Sequence, residues 1–437
     1  MNTSSLAGHA IELLDKIAKS NLPADKVVFD FYRERRYLGS HDRRWITEKV
    51  YSVVRNFILL KELAKSCASN PRLLEVFLIH EIHFAEMRPE QIENDYSKLL
   101  ETYRLTGNGV DLEKLSACAS EKLKEIESAS QNPFLLNSFP DFFGELLPES
   151  VRKDVIPIMI ALNHEARVCI RVDTARISRD EVVEFFKSQG IEAVPTEFSP
   201  VGVYLSKRVS LNNIQLYKNG LIEIQEEASQ IVGLIVDPKP DEVIVDACAG
   251  AGGKSLELAA LSNGSAKIFA LDVDESRLKN LSARADRGGY KNIFPVKVMH
   301  DTLVGIEQLA GNADKVIVDA PCTGSGTIRR NPDKKFRLTR SLVEKQASYQ
   351  KNLLSNYAQL VKTGGFVFYV TCSIFTEENR RVVDWFLNSD GRYQRVDVSN
   401  FLAGQKFSGL IEDGFLAIYP YRHEMDGFFA AVMKRVS

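Results

Sequence analysis

Apolar residues recur three and four positions apart through about the first 135 residues of the chain. Ala10–Ile17 and Trp45–Phe57 show the pattern most clearly. This spacing places the apolar side chains on one face of a helix, which is then buried against its neighbours. The pattern therefore predicts an all-α domain over residues 1–135.

The pattern changes over residues 136–230. Arg167–Val172 and Gly202–Leu205 are short apolar runs that are typical of strands, whereas Arg179–Gln189 has helical spacing. We therefore expect a small α+β domain in this segment.

Short apolar runs alternate with helical or polar stretches over residues 231–437. This alternation predicts a C-terminal α/β domain with a mostly parallel, doubly wound sheet. Phe415–Tyr419 and Phe428–Met433 flank a turn-like Met425–Gly427 and predict a terminal antiparallel pair. The predicted parallel strands are Val243–Asp246, Ile268–Asp272, Ile293–Val298, Lys315–Asp319 and Phe366–Val370.

The composition is that of a globular protein with several domains. At 437 residues the chain exceeds the size at which a single core keeps growing. Hydrophobic residues make up 44%, charged residues 26%, and the formal net charge is −2, which gives no overall basic signal. Neither a membrane span nor a signal peptide is visible, so we expect a cytoplasmic protein.

The six cysteines have no regular short spacing. We expect thiols rather than a disulfide framework, with Cys67, Cys118 and Cys169 acting as small buried hydrophobic residues. No CxxC motif or Cys/His cluster is present, so no metal is expected.

A glycine-rich turn, Asp246–Ser255, follows the first predicted parallel strand. Cys248 stands where a P-loop needs glycine, and Ser255 stands where a dinucleotide fingerprint needs glycine or alanine. Asp272 lies about 20 residues further on, where a carboxylate binds the ribose of a nicotinamide cofactor or of S-adenosylmethionine. Asp272 could instead cap the next helix, and Asp301 could either reach an adenine or cap a helix.

Two further loops carry cysteine directly after a predicted strand, namely Asp319–Cys322 and Thr371–Ser373. Because ligands bind at the carboxyl ends of parallel strands, both thiols could face one pocket. Methylation of cytosine at carbon 5 needs a thiolate that adds to carbon 6 and a base that removes the carbon-5 proton. Two cysteines and an aspartate suit that chemistry.

These motifs together resemble those of the RNA cytosine-5 methyltransferases over most of residues 220–437. Ala251 and Phe336 depart from the family, in which many members have proline and tryptophan there. The motifs that carry the resemblance are Gln225–Gln230, Asp246–Lys254, Asp319–Asp333, Thr371–Ser373 with Glu377–Asn379, and His423–Phe429.

The resemblance implies a Rossmann-like, S-adenosylmethionine-dependent domain and a role for each motif. Cys372 would be the nucleophile, Cys322 would assist proton removal and product release, and Asp319 would bind the target cytosine. The residues that would hold S-adenosylmethionine are Cys248, Ala249, Gly250, Ala251, Gly252, Gly253, Lys254, Asp272, Arg277, Asp301 and Asp319.

The first half of the chain narrows the substrate. His41–Arg44 and Glu48–Arg55 are similar to the NusB-like RNA-binding module of bacterial small-subunit rRNA methyltransferases, and Asn163–Val172 resembles the family's RRM-like domain. The resemblance implies that the substrate is 16S rRNA, either protein-free or partly assembled. We expect the protein to be a monomer. The alternatives are a tRNA or 23S rRNA enzyme, a non-catalytic ribosome-assembly factor, and a nicotinamide-dependent oxidoreductase.

A basic stretch follows the first cysteine loop. Cations beside an active site can neutralise RNA phosphates, so we expect these side chains to bind RNA. The residues are Arg329, Arg330, Lys334, Lys335, Arg337 and Arg340.

Overall fold

The computed structural model describes residues 1–128, 132–299, 302–402 and 404–437. Its contacts divide the chain into two compact units, which we call the helical unit and the sheet unit. The helical unit holds residues 1–145, 149–164 and 328–338, and the sheet unit holds residues 146–148, 165–327 and 339–437. The three-domain boundaries after residues 135 and 230 stay predictions.

The helical unit begins with a run of helices, as the apolar spacing predicts. In the first helix Leu6, Ala10, Leu14 and Ile17 are buried, and the Asn2 side chain accepts a hydrogen bond from the Ser5 N–H at 2.9 Å. The helices are α1 (Thr3–Lys19), α2 (Ala24–Glu34), α3 (Ser40–Arg55), α4 (Phe57–Cys67), α5 (Leu73–His83), α6 (Pro89–Asp95), α7 (Ser97–Leu105), α8 (Leu112–Ser128), α9 (Pro133–Leu136), α10 (Glu149–Arg152) and α11 (Val155–Asn163).

A disulfide joins Cys67 at the end of α4 to Cys118 in α8, with the Cα atoms 5.8 Å apart. The expectation that both residues are thiols is therefore wrong. The bond arises because two helices 51 residues apart in sequence pack together, and cysteine spacing does not reveal such packing.

The sheet unit contains a small four-stranded sheet, which we call the middle sheet. Its strand order is β2-β3-β1-β4, and its neighbouring strands are antiparallel. The α+β prediction is confirmed here, including the exact bounds of the strand Gly202–Leu205. The elements are β1 (Val168–Val172), α12 (Arg179–Ser188), β2 (Ala193–Pro195), β3 (Gly202–Leu205), α13 (Gln215–Lys218), β4 (Ile222–Ile224) and α14 (Glu227–Val236).

The large sheet of the same unit has the order β11-β12-β13-β9-β8-β5-β6-β7, with β10 paired to β13. The elements are β5 (Val243–Ala247), α15 (Gly253–Leu261), β6 (Lys267–Asp272), α16 (Glu275–Gly288), β7 (Ile293–Lys297), β8 (Ala313–Asp319), α18 (Arg340–Ala358), β9 (Val361–Thr371), α19 (Arg380–Ser389), β10 (Tyr393–Val396), β11 (Ile411–Glu412), β12 (Phe415–Ile418), α20 (Pro420–His423) and β13 (Phe428–Arg435). Helix α17 (Lys334–Arg337), which precedes α18 in the chain, belongs to the helical unit.

The parallel part of this sheet runs β9-β8-β5-β6-β7, as the alternating pattern predicts, and β12 and β13 form the predicted antiparallel pair. The chain order reverses between β5 and β8, and ligands of open α/β sheets bind outside the carboxyl ends of the strands at such a point.

Short 3-10 helices occupy parts of the loops, at Asp141–Leu146, Leu211–Asn213, Glu307–Leu309, Ser325–Thr327, Val398–Asn400 and Gln405–Leu410. Within the described residues, no helix is both long enough and apolar enough to cross a membrane.

Candidate active site

The two cysteine loops meet at the carboxyl ends of β8 and β9. These strands are parallel neighbours, and Asp319 is paired in register with Val370. Cys322 follows β8, Cys372 follows β9, and their Sγ atoms lie 3.4 Å apart. Both side chains are half-buried, and the two cysteines do not form a disulfide. The sheet topology thus brings the two thiols into one place, as expected.

Glu378 holds the two loops in this arrangement. Its carboxylate accepts hydrogen bonds from the Thr323 N–H at 2.7 Å, the Thr323 hydroxyl at 2.5 Å and the Ser373 hydroxyl at 2.6 Å. The Gln350 amide donates a fourth bond at 3.1 Å. Thr323 and Ser373 each follow a cysteine directly, so one carboxylate links both loops.

Burial supports this role of Glu378. Its side chain has no exposed surface, and burial raises the pKa of its carboxyl group. The sequence places Glu378 inside a motif, yet nothing local to that motif indicates that its partners are the residues after the two cysteines.

Further hydrogen bonds lock the two loops to each other. The Ser325 and Ser373 hydroxyl oxygens are 2.9 Å apart, and the Gly326 N–H donates to the Cys372 carbonyl at 3.0 Å. The Gly427 N–H in turn donates to the Gly326 carbonyl at 2.9 Å. A Cβ at Gly326 would overlap the Gly427 carbonyl group, so this crossing requires glycine. The motif around residue 427 therefore braces the first cysteine loop.

Lys254 joins the glycine-rich turn to the first cysteine loop. Its Nζ donates to Oδ2 of Asp319 at 2.6 Å. Burial opposes the charge on Lys254, but the carboxylates around it, Asp319 first, outweigh burial and raise the pKa of Lys254. Lys254 is therefore an ammonium, and it fixes one oxygen of Asp319. The Asp319 side chain keeps 32% of its surface exposed.

A second carboxylate lies beneath this pair. Burial raises the pKa of Asp246 to about 6, and the Ser255 hydroxyl donates to its Oδ2 at 2.5 Å. Asp246 is the last residue but one of β5, and its side chain is buried. It therefore holds the end of the glycine-rich turn through Ser255 and is not exposed to a ligand.

We call residues 248–254 the cofactor loop. Cys248, Gly250 and Gly252 have left-handed backbone conformations, with φ of 66°, 58° and 84°. The Gly250 N–H donates to Oδ2 of Asp272 at 2.9 Å. Gly253 and Lys254 begin α15. A tight glycine turn that opens a helix presents backbone N–H groups to a ligand.

Asp272 ends β6 and is 4% exposed. The helix cap is Asp274, whose side chain accepts from the Ser276 N–H at 2.8 Å, so Asp272 is not the cap. Arg277 Nη1 lies 3.9 Å from Oδ2 of Asp272. A buried carboxylate beside a glycine loop suits the ribose diol of an adenosyl group, so these residues fit S-adenosylmethionine. Asp301 lies outside the described residues.

Two side chains of the basic stretch bind within the helical unit. Lys335 is 1% exposed, and its Nζ donates to the Arg55 carbonyl and to Oδ1 of Asn163 at 2.7 Å, all within the helical unit. Arg337 donates to the Leu22 carbonyl and, at 3.1 Å, to the Ile17 carbonyl. The prediction that this stretch binds RNA phosphates is wrong for these two side chains, because backbone carbonyls of the helical unit already bind them.

Two family models match the chain over most of residues 139–434. Residues 233–434 match the family model described as 16S rRNA methyltransferase RsmB/F, and residues 139–212 match that of the RsmF/B-like ferredoxin-like domain. The chain is similar to the probable ribosomal RNA small subunit methyltransferase B of Bacillus subtilis, with 26% identity over 100% of each chain. Its counterpart from Synechocystis is 28% identical over 94% of this chain and 95% of the relative.

The chain is also similar to a solved structure over its whole length. The protein PH0851 superposes with a TM-score of 0.80 and 26% identity, over 100% of this chain and 99% of that chain.

Proposed function

We propose, from the premise that the chain belongs to the 16S rRNA methyltransferase family RsmB/F, that it methylates carbon 5 of a cytosine in small-subunit rRNA. The chain is an S-adenosylmethionine-dependent methyltransferase, as the resemblance of its motifs implies. The base, the carbon atom and the covalent mechanism form the proposal.

The observation that carries this proposal is the pair of thiols 3.4 Å apart, beside a carboxylate fixed by a buried ammonium. A single thiol would suffice for addition to a base. A second thiol at this distance supplies a proton acceptor on the same substrate ring, and cytosine-5 chemistry needs both groups.

Each group then has one task. The Cys372 thiolate forms a bond to carbon 6 of cytosine, which makes carbon 5 electron-rich. S-adenosylmethionine, when bound, supplies an electrophilic methyl group to the site. Carbon 5 would take that methyl group, and the rest of the donor would leave as a neutral thioether. The Cys322 thiolate then takes the proton from carbon 5 and becomes a thiol. The electrons of that carbon–hydrogen bond restore the double bond between carbons 5 and 6, and Cys372 leaves carbon 6 as the thiolate. Glu378 keeps both thiols within reach of one ring.

Asp319 positions the base in this proposal. Lys254 holds one carboxylate oxygen, and the exposed part of the side chain can accept a hydrogen bond from the cytosine amino group. The cofactor loop with Asp272 and Arg277 holds the methyl donor. For Asp301 the cofactor role stays a prediction.

The proposed substrate is small-subunit rRNA with an accessible cytosine. The target base must leave its stack to reach half-buried thiols, so an unpaired base in protein-free or partly assembled RNA is favoured. We propose that the enzyme works in the cytoplasm as a monomer.

A substrate panel tests this proposal. The purified chain is given labelled S-adenosylmethionine with protein-free 16S rRNA, assembled small subunits, 23S rRNA or tRNA, and the product nucleosides are separated. We expect 5-methylcytidine in 16S rRNA and more label in protein-free RNA than in assembled subunits. If label appears only in 23S rRNA or tRNA, that RNA is the substrate instead of 16S rRNA. If no RNA is labelled, a non-catalytic assembly factor is favoured.

A further inference from the structure

The middle sheet presents two buried charges toward the methyltransferase part of the sheet unit. Arg171 in β1 and Glu223 in β4 are directly paired across the antiparallel ladder, so both side chains lie on one face of the sheet. Arg171 is 4% exposed and Glu223 is 6% exposed. Charges buried to this extent need partners, and their partners lead to the cofactor loop.

Arg171 contacts the cofactor loop directly. Its Nη1 donates to the Gly253 carbonyl at 3.0 Å and also to Oε1 of Gln225. Gly253 is the first residue of α15, where the loop passes into the helix. One guanidinium from the middle sheet thus holds the far end of the loop.

Glu223 acts on the loop through Arg284 of α16. Arg284 Nη2 donates to Oε2 of Glu223 at 2.9 Å, and Arg284 Nη1 donates to the Ala251 carbonyl at 2.6 Å. The fixed fork of a guanidinium lets one arginine bridge a carboxylate and a carbonyl. The carboxylate therefore aims Arg284 at the centre of the loop.

The cofactor loop needs such outside support. It has left-handed residues at Gly250 and Gly252, and its alanines and glycines offer little side chain to pack. Charge-assisted hydrogen bonds to two of its carbonyls restrict this freedom before any ligand arrives. Ordering the loop in advance lowers the entropic cost of binding a ligand to it.

We propose that the middle sheet is a working part of the S-adenosylmethionine site, with Arg171, Glu223 and Arg284 as positioning residues for the cofactor loop. The proposal rests on the proposed function, because it takes the loop as the binding site of the methyl donor. It assigns the buried face of the middle sheet to the cofactor rather than to RNA. RNA-binding sheets of the RRM type stack bases on an exposed face, whereas the face with Arg171 and Glu223 is covered.

The chain offers a matched pair of variants on one helix. Arg284 and Arg287 both donate to Glu223, but in the described contacts only Arg284 reaches the loop, since Arg287 instead lies 3.9 Å over the ring of Tyr217. Arg284→Met and Arg287→Met therefore both remove a cation from Glu223, and only the first removes the contact with the Ala251 carbonyl. Arg284→Lys keeps the charge but cannot bridge both partners.

The experiment measures the dissociation constants of the full chain for S-adenosylmethionine by calorimetry and for 16S rRNA by filter binding, together with the melting temperature. Loss of a charge-assisted hydrogen bond should raise the S-adenosylmethionine constant of Arg284→Met about tenfold. We expect a change of less than about threefold in Arg287→Met, an intermediate value in Arg284→Lys, and unchanged RNA affinity in all three.

Other outcomes overturn the inference in distinguishable ways. If the wild type binds S-adenosylmethionine and Arg284→Met binds it equally well, the inference fails and the proposed function stands. If Arg284→Met and Arg287→Met weaken binding equally and melt equally early, the effect is structural and the inference fails. If RNA affinity falls and S-adenosylmethionine affinity does not, the face serves RNA. If the wild type does not bind S-adenosylmethionine, the proposed function fails as well.

Discussion

Glu378→Ala tests how the site holds its two thiols. The change removes the acceptor of four hydrogen bonds, from Thr323, Ser373 and Gln350. A buried donor without a partner costs about 1 kcal/mol at the lower end, which gives about 4 kcal/mol for four donors. Burial raises the pKa of Glu378, so burying its charge costs free energy in the wild type. Removing the carboxylate relieves that cost and offsets part of the free energy lost with the hydrogen bonds. We expect the free energy of unfolding to fall by about 2 to 3 kcal/mol.

The effect on catalysis should be larger than the effect on binding. Misplacement of a reacting group by about 1 Å can reduce a rate by about 100-fold. We therefore expect kcat of Glu378→Ala to fall by about that factor, with little change in KM for S-adenosylmethionine. Glu378→Gln keeps a carbonyl acceptor and should recover much of the rate.

Urea unfolding and single-turnover methyl transfer measure both effects. Glu377→Ala is the matched control, because the Glu377 carboxylate pairs with Arg381 at 3.0 Å. If Glu378→Ala keeps the kcat of the wild type, or if Glu377→Ala loses as much activity, Glu378 does not position the thiols.

A buried carboxyl group, a buried lysine and the pair of thiols each allow a further prediction. Burial raises the pKa of Glu257 to about 7, whereas a glutamate in the unfolded chain ionises near about pH 4.3. The folded state therefore loses about 3 kcal/mol of stability as the pH rises from about 4.3 through 7. Urea unfolding should show a smaller loss of stability between about pH 5 and pH 8 in Glu257→Gln than in the wild type, and equal losses would contradict this role of Glu257. Lys335→Met should lower the free energy of unfolding by about 2 kcal/mol without changing the salt dependence of RNA binding. A weaker salt dependence in this variant would show that Lys335 contacts an RNA phosphate after all. A dithiol oxidant such as diamide should join Cys322 to Cys372 and stop methyl transfer until a reductant is added, whereas two thiols that stay open to alkylation would contradict their 3.4 Å separation.

Local patterns predict the strands well, because a buried parallel strand is a short apolar run wherever it occurs. They fail at the boundary between α3 and α4. Trp45–Phe57 has one continuous helical spacing, but α3 ends at Arg55. The Ser138 hydroxyl accepts hydrogen bonds from the Ile58 and Leu59 N–H groups at 2.9 and 3.3 Å and so caps a new helix. A cap supplied from 80 residues away has no local signal.

In the candidate site, too, some features follow from the sequence and others depend on tertiary contacts. Strand topology alone predicts that Cys322 and Cys372 meet, because both follow neighbouring parallel strands. The parts that tertiary contacts decide were not predictable, namely the links from Glu378 to both loops and the burial of Lys335 in the helical unit. From the sequence alone, a lysine is expected at the surface. Only the folded structure shows that a backbone carbonyl of the helical unit binds Lys335.

The two-thiol mechanism is tested most directly by comparing the wild type with Cys372→Ala and Cys322→Ala. Methyl transfer to protein-free 16S rRNA is measured, and a covalent complex with that RNA is sought on a denaturing gel. We expect that Cys372→Ala neither methylates the RNA nor forms the complex, and that Cys322→Ala accumulates the complex because product release fails. Methylation by Cys372→Ala at the rate of the wild type, or a complex that forms without Cys372, would contradict the two-thiol mechanism.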